Sequence, residues 1–135
     1  MNSLPHWIFI VVMLALAGCD TAPVKSMQKT VGGMFQSGGK AEQSLASGVS
    51  QYDDGNYNEA ARLLQASLDE GLSAKSDQVK AHKYLAFIHC VSGREAQCRS
   101  EFRSALKIDP SFNLAANEAG HPIWGPVFRS VKGRQ

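Results

Sequence analysis

The sequence contains only three cysteines, Cys19, Cys90 and Cys98, and neither a Cys-x-x-Cys nor a His-x-x-x-His pair. Zinc sites draw three or four ligands from such spacings, so no metal centre is expected. His82 and His89 lie seven residues apart on one helical face and His121 sits in a loop beyond, with no acid or thiol spaced to complete a ligand set. Packing and hydrogen-bonding roles are expected for all three. Lys and Arg are interspersed with Asp and Glu at a net charge of +2, which gives no basic stripe for nucleic acid. No nucleophile stands beside a base, and no pair of acids is evident. Gly32-Gly33 and Gly38-Gly39 lack the strand and helix that flank a phosphate-binding loop. The expectation is a chain without enzymatic activity, cofactor or small-molecule substrate. Long apolar runs are missing too, since crossing a membrane takes about 20 apolar residues.

What is present at the amino terminus is a run of eleven apolar residues, Trp7 to Ala17. That length suits the hydrophobic region of a secretory signal peptide, although residues 1–6 carry no Lys or Arg. The run ends in Leu16-Ala17-Gly18-Cys19, which resembles a bacterial lipobox. The resemblance implies cleavage after residue 18 and lipidation of Cys19 by diacylglyceryl and acyl (palmitate-type) chains. Each buried methylene contributes about 0.8 kcal/mol, so several chains hold a protein firmly on a membrane. The expected location is the periplasmic face of a bacterial membrane. Asp20 follows the lipobox cysteine, and an aspartate there retains some Gram-negative lipoproteins in the inner membrane; the outer membrane is the alternative.

Residues 19–40 are rich in Gly, Ser, Thr and Pro and are expected to form a lipidated tether. A competing pattern runs through them. Val24, Met27, Val31 and Met34 recur at helical spacing, as in a short amphipathic helix, but two glycines inside it cost about 1 kcal/mol each.

From residue 41 the periodicity becomes helical. Leu45, Val49 and Tyr52 share a face before Asp53-Asp54-Gly55. Asn56 and Glu59 suggest a capped start for a helix carrying Tyr57, Ala60, Leu64 and Leu68, which ends at Gly71. Ser76 or Asp77 would cap a third helix, apolar over a wide arc through Val79, Tyr84, Leu85, Phe87, Ile88 and Val91, which should be the most buried. A fourth carries Cys98, Phe102, Ala105 and Leu106 and stops before Pro110.

The breakers Gly55 and Gly93 superpose two hairpins at an offset of 38 residues, roughly one helical turn more than the tetratricopeptide period of about 34. Gly48, Gly55, Tyr57 and Ala60 in the first copy, and Leu85, Ala86, Gly93, Phe102, Ala105, Leu106 and Pro110 in the second, resemble that motif. The fold class expected is all-α: two tetratricopeptide-like hairpins over residues 41–110 plus a C-terminal capping segment over residues 111–135. About three repeats are normally needed to close a core, so a cover is required. Trp124, Val127, Phe128 and Val131 can provide it, with Pro126 opening their helix.

Two constellations carry chemistry. Cys90 and Cys98 flank the Gly93 turn at nearly equal distance, so either a disulfide or two buried thiols fits an antiparallel pair. In tetratricopeptide arrays the first helix of each repeat lines a groove. The matching positions are Leu45, Val49 and Tyr52, then Lys80, Lys83 and Phe87. Such a mix suits a peptide, with apolar anchors and lysines for carboxylates; ordinary solvated lysines are the other reading.

The stretch Ala81-His82-Lys83-Tyr84-Leu85-Ala86-Phe87-Ile88-His89-Cys90-Val91-Ser92-Gly93-Arg94, with Asp109-Pro110-Ser111-Phe112 and residues 118–129 around His121-Pro122-Ile123-Trp124-Gly125-Pro126, resembles the TssQ family. These are tetratricopeptide lipoproteins associated with type VI secretion systems. The resemblance covers the lipobox and residues 41–132, and its C-terminal block is the most distinctive part. It implies a membrane-anchored adaptor that binds a protein of the secretion apparatus, and it supplies no catalytic residues. A pilotin-like or outer-membrane assembly lipoprotein, or a regulator of a periplasmic enzyme, are the alternatives.

Overall fold

The structure is a computed structural model that describes residues 39–134, and the regular elements among them are all helices. The expected signal peptide, Cys19 and tether lie outside the described residues, except for the tether's last two positions, Gly39 and Lys40. Helix α1 (Lys40–Asp53) pairs with α2 (Tyr57–Asp69), and α3 (Lys75–Val91) pairs with α4 (Glu95–Ile108). A single turn, α5 (Ala116–Ala119), then leads into α6 (Trp124–Lys132). The fold is all-α and built of helical hairpins.

Both hairpin turns close in the same way. Gly55 and Gly93 adopt φ of 80° and 73°, a left-handed conformation that side chains with a Cβ disfavour. In the first turn the N–H of Gly55 donates to Tyr52 O and that of Asn56 to Gln51 O; in the second Gly93 donates to Cys90 O and Arg94 to His89 O. This is the Schellman arrangement, which satisfies carbonyls left orphaned at a helix end. The alignment of Gly55 with Gly93 therefore matches two turns of one geometry.

Three expected helix starts differ in detail. Asn56 stands at the N-cap of α2, but its side chain donates to Gln51 Oε1 at 2.9 Å and Glu59 pairs with Arg62, so no capping box forms. Helix α3 begins at Lys75 after Ala74, which places Ser76 and Asp77 inside its first turn. Helix α6 begins at Trp124, two residues before Pro126. Pro126 is still within the first turn, where its missing N–H has no intrahelical acceptor to lose.

Packing divides into two clusters that share α3. One joins Ala41, Leu45, Ala60 and Leu64 of the first hairpin, and Leu72 of the loop after it, to Ala81, Leu85 and Ile88. The other joins Ala86, Phe87 and Cys90 to Cys98, Phe102 and Leu106 of α4 and to the C-terminal segment. Helix α3 thus buries residues on opposite faces, and a helix in that position is apolar around most of its circumference. In the first hairpin a close approach is set by Gly48, where a Cβ would lie 2.8 Å from Leu64 Cγ.

The C-terminal segment covers the far side of the second hairpin. Phe128 packs edge-on to Phe102 (5.1 Å) and Phe112 (5.5 Å), and Trp124 stacks on Phe87 at 4.2 Å. Lys132 Nζ donates to Phe112 O and Asn113 Oδ1, both at 2.6 Å, which ties α6 back to the loop after α4. Gly125 lies against α5, since a Cβ there would meet Ala119 O at 2.5 Å.

Candidate functional site

The residues expected to line one groove occupy three different environments. Leu45 is buried in the first cluster, Val49 and Tyr52 are half-buried, Lys80 is exposed, Lys83 is half-buried and Phe87 is 2 % exposed. Phe87 is covered by the Trp124 indole and faces no open groove. The chain's own C-terminal segment fills that end, because an apolar ring of this size is stabilised by being covered. Lys83 is likewise engaged. Its ammonium bonds Glu118 Oε1 at 2.6 Å and lies 4.9 Å from the Tyr84 ring centre. Glu118 Oε2 meanwhile accepts the Ala115 N–H, so this carboxylate latches α5 onto α3.

Along this face runs a line of aromatic rings: Tyr57 to Tyr52 (5.4 Å), Tyr52 to Tyr84 (4.9 Å), Tyr84 to Phe87 (5.9 Å), then Trp124 and His121. Burial first, and then the neighbouring Tyr57 and Tyr84 phenols, push the Tyr52 hydroxyl up to about 12. Tyr84 is raised for the same leading reason, with Asp53 and Glu118 adding. Both phenols remain neutral at ordinary pH. Tyr57 is 40 % exposed, an uncovered ring at the end of the line.

Two clefts flank α3. One, of about 420 Å³, lies between α1 and α3 and is bounded by Leu45, Val49, Tyr84 and Lys80, with Glu42 and Asp77 at its rim. The other, of about 620 Å³, lies between α3 and the loop after α4. Its α3 wall carries Lys75, Val79 and Lys83 at four-residue spacing, and Ile108 and Phe112 stand across from them. Lys80 borders both clefts.

Charge differs between the two halves of the described residues. Residues 40–74 carry two Lys or Arg against six Asp or Glu, whereas residues 75–134 carry ten against five. Because the two halves fold as successive hairpins, this asymmetry becomes a difference between surfaces.

The histidines are held by separate neighbours. His82 Nδ1 meets Glu101 Oε2 at 2.6 Å across α3 and α4, His89 Nδ1 accepts from Arg94 at 3.0 Å, and His121 stacks on Trp124 while accepting the Ile123 N–H. Burial, then the Arg94 charge, lower the pKa of His89 against a smaller opposing pull from Glu101. Among the described residues no group of three or more His, Cys, Asp or Glu is placed to hold a metal ion. Cys90 and Cys98 are joined by a disulfide with Cα atoms 5.2 Å apart, binding α3 to α4 beside the Gly93 turn.

Sequence reasoning missed the Lys83–Glu118 latch and the cleft beside Lys75. The latch spans residues 35 apart and has no local signature. The cleft joins one side of α3 to residues 108–112, which no local periodicity brings together. Comparison with protein-family models, curated proteins and solved structures returns no match for this chain.

Proposed function

We propose that this chain is a lipid-anchored adaptor of the bacterial envelope that binds a protein component of a type VI secretion system. The reading joins two supports. The lipobox-like Leu16-Ala17-Gly18-Cys19 provides the anchor, with a tether to reach from it. The observation that carries the binding role is the face built by α1 and α3. There Val49, Tyr84 and Lys80 stand exposed or half-exposed beside an apolar cleft, and Tyr57 of α2 lies exposed at the end of the adjoining line of aromatic rings. Tyrosines with apolar neighbours and a charged rim are the composition from which protein interfaces draw their strongest contacts. The work of the protein, on this reading, is holding a partner near the membrane and not chemistry.

The experiment is photo-crosslinking in cells from a benzophenone amino acid at Val49 or Tyr57, with mass spectrometry of the captured proteins. These positions are preferred to Lys83 and Trp124, whose side chains are already engaged within the chain. Capture of a sheath, baseplate or membrane-complex subunit is the expected result. Capture of only secretins, barrel-assembly proteins or a periplasmic enzyme overturns the secretion reading. Cys19→Ser should release the protein from membranes, and a protein still in the membrane fraction overturns the anchor.

A further inference from the structure

The larger cleft differs from its neighbour in the way its charge is arranged. Its floor is apolar: Val79 is buried, and Ile108 and Phe112 are half-buried. Its rim on α3 is cationic through Lys75, Lys80 and Lys83. Lys83 is committed to Glu118, but among the described residues neither Lys75 nor Lys80 has an ion-pair or hydrogen-bond partner. The acid in the lining, Asp109, is turned to its own loop, accepting the Ser111 hydroxyl at 2.6 Å and the Ser111 N–H at 2.9 Å. Those two bonds hold its carboxyl below the usual range, with the Lys132 and Lys75 charges adding, so it stays ionised and occupied. What the cleft offers an incoming group is therefore two ammonium groups, Lys75 and Lys80, that form no ion pair or hydrogen bond among the described residues and stand beside apolar side chains.

We infer that this cleft binds a short, extended segment of a partner protein in which acidic and apolar residues alternate, its carboxylates on Lys75 and Lys80 and its apolar side chains on Val79, Ile108 and Phe112. The dimensions support such a ligand. From Lys75 to Lys83 the wall is about 12 Å long at 1.5 Å per helical residue, the span of about four extended residues. Alternation follows from the same geometry, because successive side chains of an extended segment point to opposite sides. One set faces the floor and the other reaches the rim. A basic segment is disfavoured by Lys75 and Lys80, and a purely polar one leaves the floor exposed.

The inference deepens the reading of the chain as a protein-binding adaptor but uses a different cleft from the one tested by crosslinking at Val49 and Tyr57. The full chain is reconstituted in phosphatidylcholine nanodiscs and titrated, by fluorescence anisotropy, into a labelled octapeptide of alternating Glu and Leu. Two further octapeptides replace Glu by Lys, or Leu by Ser. The acidic–apolar peptide is expected to bind at least about tenfold more tightly than either, and to weaken as salt is raised. Lys75→Glu with Lys80→Glu should cost about tenfold in affinity, because two exposed ion pairs with the peptide are lost. Arg103→Glu with Lys107→Glu, on a different surface of α4, should leave binding unchanged. A benzophenone in the peptide should label residues 75–83 or 108–112. No binding of the acidic–apolar peptide, equal binding of the basic one, an unchanged affinity in the Lys75/Lys80 variant, or labelling confined to α1 each overturns the inference. Capture of a secretion component at Val49 alongside any of these leaves the adaptor reading standing and removes only this cleft.

Discussion

Replacing Trp124 by alanine should unfasten the C-terminal segment and destabilise the whole domain. The indole is 8 % exposed, stacks on Phe87 at 4.2 Å and on His121 at 3.3 Å, and donates its N–H to Glu118 O at 2.9 Å. Truncating a buried Trp to Ala costs about 3–5 kcal/mol. Of that, aromatic stacking accounts for about 0.5–1.5 kcal/mol and the hydrogen bond for about 1 kcal/mol. Domains of this size have about 5–15 kcal/mol in total, so the variant loses a large part of its stability. For roughly 100 residues each kcal/mol lowers Tm by about 4–8 °C, so a fall of at least about 12 °C is expected. Trp124→Phe keeps a ring on Phe87 but leaves Glu118 O without its donor, and should fall between the two, about 1–2 kcal/mol below the native chain. Urea and thermal unfolding followed by far-ultraviolet circular dichroism measure both. If Trp124→Ala stays within about 1 kcal/mol of the native chain, the segment is not part of the core and the covering role assigned to it fails.

The Cys90–Cys98 bond closes a loop spanning a sequence separation of only 8, so its reduction should cost only about 2–3 kcal/mol in unfolding free energy; intact mass after alkylation without reductant should show neither cysteine modified. Gly48→Ala, which in an open helix gains about 1 kcal/mol, should here lose about 1–3 kcal/mol because its Cβ would meet Leu64 Cγ at 2.8 Å; a stabilised variant refutes the close packing of α1 on α2. The Tyr52 hydroxyl, raised to about 12, binds its proton more tightly folded than unfolded. Its contribution to stability is therefore fully present below about pH 10 and is lost as pH rises through about 12. Absorbance titration should show late tyrosinate ionisation from Tyr52 and Tyr84, of which Tyr52→Phe removes one phenol's share; an unchanged late amplitude in that variant refutes the assignment to Tyr52.

Much of the fold was legible because helices announce themselves locally. The stripes Leu45–Val49–Tyr52, Tyr57–Ala60–Leu64 and Cys98–Phe102–Ala105 each report one buried face. Gly55 and Gly93 mark turns that need a left-handed residue. The caps were less legible. Asn56, Ser76 and Asp77 are residue types that cap helices, yet other partners or the helix register take precedence for each. The candidate groove was half legible. Its residues were identified by position in a repeat, but whether each stays open depends on what the rest of the chain places over it. Phe87 and Lys83 have the spacing of groove residues and are claimed by Trp124 and Glu118, more than 30 residues onward.

The sequence by itself determined the helical periods, the two glycine turns, the pairing register that brings Cys90 level with Cys98, and the lipobox resemblance at Cys19. These depend on residues within a few turns of one another. Only the tertiary structure decided which end of the α1–α3 face is closed, that Lys80 borders two clefts, and that, among the described residues, Lys75 and Lys80 form no ion pair beside an apolar floor. Those properties arise where α3 meets residues 108–124, and contacts between segments far apart in the chain leave no periodic trace in either one.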